Sequence, residues 1–81
     1  MTHELVIDCP PGSMRPDGIL SLVLQDTELT PKDFTITRKF FGEWTFVLNE
    51  SRNDIYEKYK HDIGTKLKKM NAEGYVRYAE W

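Results

Sequence analysis

The chain has a single cysteine, Cys9, among its 81 residues, which excludes an intramolecular disulfide framework and a cysteine-rich zinc site. Packing must therefore hold the fold. No apolar run approaches the roughly 18 to 20 residues that cross a bilayer, and the first residues lack the basic stretch and long apolar segment of a secretory leader. A cytoplasmic protein without membrane attachment is expected. Net charge is also scarce: 13 acids against 11 bases leave a formal −2, too little for avid nucleic-acid binding or for an acidic nucleic-acid mimic. Glycine and proline are few, and nowhere do the glycines fall at the spacing of a phosphate-binding loop. The histidines, His3 and His61, form no ligand pattern with the scattered carboxylates, so neither a metal nor another cofactor is expected.

With 40% hydrophobic and 30% charged residues, the composition is that of an ordinary folded protein, and its length suits one domain spanning residues 1–81. Leu5-Val6-Ile7-Asp8-Cys9, stopped by Pro10-Pro11-Gly12, reads as a buried strand. Helix-start chemistry follows: Ser13 as a cap, Pro16 for the first turn and Asp17 at the positive end of the dipole. Residues 16–26 alternate well enough for a strand, but their leucine content and the Glu-Leu-Thr-Pro exit favour helix. Ser51 and Asp54 have capping-box spacing before a second helix whose apolar arc holds Ile55, Tyr56, Tyr59, Ile63, Leu67 and Met70. On its polar side, Glu57 with His61 and Asp62 with Lys66 have the spacing of i,i+4 pairs. Gly74 is a plausible helix stop before a short strand from Tyr75 to Tyr78.

Between the helices, Phe34 to Leu48 reads as a β-hairpin turning at Gly42. Side chains alternate faces along a strand, so loop length decides which residues share a face. A two-residue Gly42-Glu43 loop sets Lys39 opposite Phe46 and mixes lysine into the aromatic face. A three-residue loop pairs Phe40 with Trp44 and Ile36 with Leu48; a five-residue loop pairs Ile36 with Phe46 and Phe34 with Leu48. Either odd loop gathers the aromatics on one core face, except that Arg38 falls among them, which predicts an edge strand or a bulge there.

The order strand, helix, strand, strand, helix, strand resembles the ferredoxin-like βαββαβ arrangement: an α+β two-layer sandwich with a four-stranded antiparallel sheet and two helices on one face. That resemblance implies a sheet order of 4-1-3-2, with the most apolar strands central. Trp44-Thr45-Phe46-Val47 is also loosely similar to the third-strand motif of the RNA-recognition motif, which stacks bases on exposed sheet aromatics. The match stops at the first strand, where Val6 stands in place of an aromatic.

Three surfaces are candidates for function. If the aromatics form the core, the outer sheet face presents Val6, Asp8, Thr35, Thr37, Thr45 and Val47, a mild surface suited to a protein partner or a second copy of the chain. Lys58, Lys66, Lys68 and Lys69 on the second helix are a candidate surface for nucleic acid or an acidic partner. Ser13 and Arg15, in the loop before the first helix, are candidates for anion binding, with Cys9 as a candidate nucleophile beside them. No base or orienting group accompanies that cysteine, so no catalytic residue is assigned. The leading expectation is a small non-enzymatic binding or regulatory module acting through protein contacts, self-association included. Single-stranded RNA or DNA binding comes next, and a small anion-binding or cysteine-dependent enzyme last.

Overall fold

A computed structural model describes residues 2–81 and gives an α+β architecture in two layers, a four-stranded antiparallel sheet and two helices. The strands are β1 (Glu4–Asp8), β2 (Phe34–Phe40), β3 (Glu43–Leu48) and β4 (Tyr78–Glu80); the helices are α1 (Pro16–Val23) and α2 (Asn53–Ala72). Across the sheet the strands run β2-β3-β1-β4, every neighbouring pair antiparallel. Both central strands alternate strictly. Leu5 and Ile7 of β1, with Trp44, Phe46 and Leu48 of β3, are buried under the helices beside Ile19, Leu20, Val23, Tyr56, Ile63 and Leu67. The aromatic residues of β3 are therefore core.

The helix limits differ from expectation in instructive ways. Arg15, in an extended conformation, occupies the N-cap of α1 and makes no side-chain cap, so Ser13 lies outside the helix. Pro16 sets the start instead, because its fixed φ suits the first turn and its missing N–H costs nothing there. Helix α1 ends at Val23, and Asp26, at φ 66°, turns the chain away. Before α2, Asn49 accepts from the Ser51 amide at 3.1 Å and from its hydroxyl at 3.0 Å, so the Ser51 to Asp54 box does not form. A short 3-10 turn, Glu50–Arg52, leads into the helix. Its C-terminus is a Schellman motif at Gly74 (φ 87°), with Tyr75 N–H donating to Met70 O and Gly74 N–H to Asn71 O. The chain leaves this turn with Val76 buried, and β4 begins only at Tyr78.

The hairpin departs most from expectation. Phe34 pairs with Leu48 and Ile36 with Phe46, as a five-residue loop requires. A bulge between Ile36 and Arg38 then shifts the register. Arg38 faces Thr45, Lys39 faces Trp44 and Phe40 faces Glu43, leaving Phe41-Gly42 as a two-residue turn. The expected pairs of Phe40 with Trp44 and Ile36 with Leu48 do not form. A lysine opposite Trp44 is tolerable because β2 is an edge strand: the Lys39 ammonium lies 4.3 Å from the indole centroid while remaining exposed.

Candidate functional site

Gly42 pins the turn of the hairpin to β1. Its carbonyl accepts from Cys9 N–H at 3.0 Å, and a Cβ there would lie 2.3 Å from the Cys9 carbonyl oxygen, so only glycine fits. The positive φ that tight hairpin turns require falls on the neighbouring residue, Phe41, at 57°. That side chain is 90% exposed and sits edge-on against Phe40, itself 56% exposed, with ring centroids 4.6 Å apart. A bulky residue in the left-handed region with its ring in solvent is costly twice over, in backbone strain and in exposed apolar surface.

Beside this tip lies a groove of about 590 Å³ between the Pro10–Pro16 loop and the hairpin, with Trp44 and Cys9 among its lining residues. Phe41 and Met14 supply exposed apolar surface, and Arg15 and Arg77 supply charge. The two arginines differ. Arg77 is held by Asp8 through two hydrogen bonds, 2.9 and 3.2 Å, which raise its pKa further and neutralise it locally. Arg15 has only a 3.5 Å contact with Asp17, both side chains being well exposed, and it also lies 5.3 Å from the Trp44 centroid. Lys39 approaches the same ring, so one indole collects two cations. Arg38 sits 5.8 Å from the Phe40 ring. Among the described residues neither Arg38 nor Lys39 forms an ion pair.

Cys9 is also part of this groove, but it is buried and carries a free thiol. Burial, and secondarily the Asp8 carboxylate, push its pKa up to about 11, so at neutral pH the sulfur remains a protonated thiol.

Asp8, Thr35, Thr45 and Val47 share the helix-free face of the sheet, as their parity requires. Thr37 does not join them in the ladder, because it is the bulged residue. Residues that sequence parity did not place here are Arg38, Phe40 and Tyr78; the bulge turned the first two outward, and β4 begins later than expected. The signal for the bulge was Arg38 itself, a charge at a core-phase position. Glu4, Glu43 and Glu80 also lie on this face with Asp8, making it acidic apart from Arg38 and the paired Arg77.

The lysines of α2 do not form one surface. Lys58 binds Glu28 at 3.4 Å, in a cluster where the Tyr59 hydroxyl donates to the same carboxylate, and Lys66 donates to the Gln25 carbonyl at 2.6 Å. Lys68 lies over Trp81 instead, 5.8 Å from its centroid, and Lys69 is exposed near the helix end. Nor do the expected i,i+4 pairs form: Glu57 meets His3 at 2.9 Å, and Lys66 is committed to Gln25. Ser13 and Arg15 both line the groove, so the anion-loop candidates and the hairpin tip belong to one site.

Comparison of the chain with protein-family models, curated proteins and solved structures found no match.

Proposed function

We propose that this chain is a small non-enzymatic docking module, binding or regulatory in role, that acts through contacts with another protein at the hairpin tip and adjoining groove. One observation carries the reading: Phe41 is 90% exposed at φ 57° on a turn that Gly42 locks to β1. A folded chain keeps such a residue at a cost to its own stability, which is understandable where the ring is buried against a partner. The edge strand β2 adds unpaired backbone groups beside it. A cytoplasmic setting and a ferredoxin-like frame are part of the proposal; the order β2-β3-β1-β4, counted from the other edge, is the 4-1-3-2 of that arrangement.

Nucleic-acid binding across the sheet is disfavoured by charge and shape. The central-strand positions that would stack bases hold Val6, Asp8, Glu43, Thr45 and Val47, and Glu4 and Glu80 add repulsion toward phosphates. Cysteine chemistry is disfavoured by the protonated thiol of Cys9.

A photoreactive benzoylphenylalanine at position 41, activated in cells, tests the proposal. The expected outcome is a discrete protein adduct that is absent when the same group replaces Asp62, on the exposed side of α2. Adducts to nucleic acid alone, or no adduct, would overturn it. Light scattering across the micromolar range separates the self-association version, which requires a mass above that of one chain.

A further inference from the structure

We propose that the groove recognises an acidic segment of a partner protein in which a carboxylate neighbours a bulky apolar side chain, the carboxylate held by Arg15 with Lys39 adding positive charge from outside the groove, and the apolar group seated against Trp44, Met14 and Phe41. This rests on the docking reading above and specifies its partner chemically.

Charge placement supports it. Arg15 comes from the start of α1 and Lys39 from β2, yet both reach the Trp44 ring, at 5.3 and 4.3 Å from its centroid. Both cations thus approach one ring at the mouth of the groove, and a carboxylate entering beside Arg15 gains a charge-assisted hydrogen bond there and the attraction of a second positive charge nearby. Among the described residues Lys39 has no ion-pair partner, and Arg15 has only the exposed Asp17. Asp17 makes one long contact with Arg15 and is occupied by the Gly18 amide at 3.0 Å, while Asp8 is committed to Arg77. The groove thus has one neutralised end, at Arg77, and one cationic end, at Arg15.

Shape and stiffness point the same way. A volume of about 590 Å³ with a mainly apolar lining accommodates one or two large side chains. Pro10, Pro11 and Pro16 restrict one wall, and the Gly42 contact with Cys9 fixes the other, so little ordering entropy remains to be lost on binding. Phe40, packed on Phe41, extends apolar surface beyond the groove, as an elongated segment requires and an enclosed small molecule does not. The acidic sheet face borders the tip through Glu43, which works against a polyphosphate strand crossing from tip to sheet.

The probe is a short amidated peptide of alternating aspartate or glutamate with leucine or phenylalanine, titrated into the full chain carrying Trp81→Phe, so that emission comes from Trp44. The expected result is a saturable change in that emission. Affinity should fall at least roughly tenfold in an Arg15→Gln, Lys39→Met double variant, which removes both charges but keeps the side-chain stems, and should weaken with added salt. Circular dichroism checks that the variant stays folded; if it does not, Arg15→Gln alone, at an exposed N-cap, carries the comparison. Equal binding of the same peptide with glutamine and asparagine replacing its acids would overturn the proposal, as would a short oligothymidylate that binds while the peptide does not. A protein adduct at position 41 whose partner segment is neutral or basic would overturn this inference while leaving the docking function standing.

Discussion

Two residues hold conformations or environments that the fold itself does not reward. Tyr56 is fully buried, its ring 4.8 Å from that of His3, and its hydroxyl has no hydrogen-bond partner among the described residues. A buried hydroxyl left unpaired costs about 1 to 3 kcal/mol, whereas the ring alone packs equally well as phenylalanine. Tyr56→Phe should therefore stabilise the protein by about 1 kcal/mol, read as a higher midpoint in urea. Phe41 is the second. Phe41→Gly removes about 1 kcal/mol of left-handed strain, part of which the extra chain entropy of glycine offsets, so thermal stability should hold or rise. Adduct formation by a photoreactive group moved to position 40 should nevertheless be lost in this variant. A fall in the melting temperature would show that the ring stabilises the fold, against the role assigned to it.

At the scale of elements, close contacts decide what moves. Gly64 lies on the face of α2 that receives the C-terminal Trp81; a Cβ there would be 2.5 Å from the indole nitrogen. Alanine gains about 1 kcal/mol of helix propensity over glycine, so α2 should stand and the indole give way. In a Trp44→Phe background, Gly64→Ala should shift Trp81 emission to the red with little change in helical circular dichroism. The connection from α1 to β2 is fastened differently, by side chains: Arg52 donates to the Glu28 carbonyl at 2.8 Å and Lys66 to the Gln25 carbonyl at 2.6 Å. These long-range contacts explain why regularly spaced lysines on α2 do not amount to a basic face.

For the whole molecule, a core with buried acidic hydrogens makes stability sensitive to alkali. Burial pushes Cys9 from 9.0 to about 11 and Tyr56 from 10.0 to about 12. The folded chain holds these protons more tightly than the unfolded one, so their contribution is complete below pH about 9 and is lost as pH rises from there toward about 12. Urea midpoints should fall between pH about 9 and about 11, and less steeply in Cys9→Ala, which removes the group that responds first. A flat profile in the parent protein would contradict the burial of both groups.

Much of this plan was legible in the sequence. The apolar period of α2, the run at Leu5 to Ile7 and the alternation from Trp44 to Leu48 each satisfy one local rule and are buried accordingly. What escaped depended on events between elements. Ser13 had the chemistry of a cap, but Pro16 determined where α1 could begin. The hairpin register could not be deduced from parity, because an unpaired residue changes parity midway and only the glycine contact with Cys9 fixes the turn. The groove was half visible, as Ser13 and Arg15; its other wall lies some 25 residues later in the chain, and nothing local joined the two.

The extra residue at Thr37 bears on more than register. It divides β2 into two half-strands offset by one position, and that offset alone turns Phe40 outward and brings Lys39 over Trp44. An in-frame loss of the Thr37 codon would keep every remaining side chain on its present face while straightening the outer rim into an uninterrupted ladder, open to pairing with a neighbouring chain. Loss of Thr37 should therefore raise the tendency of the protein to form large assemblies, read as increased light scattering at equal concentration.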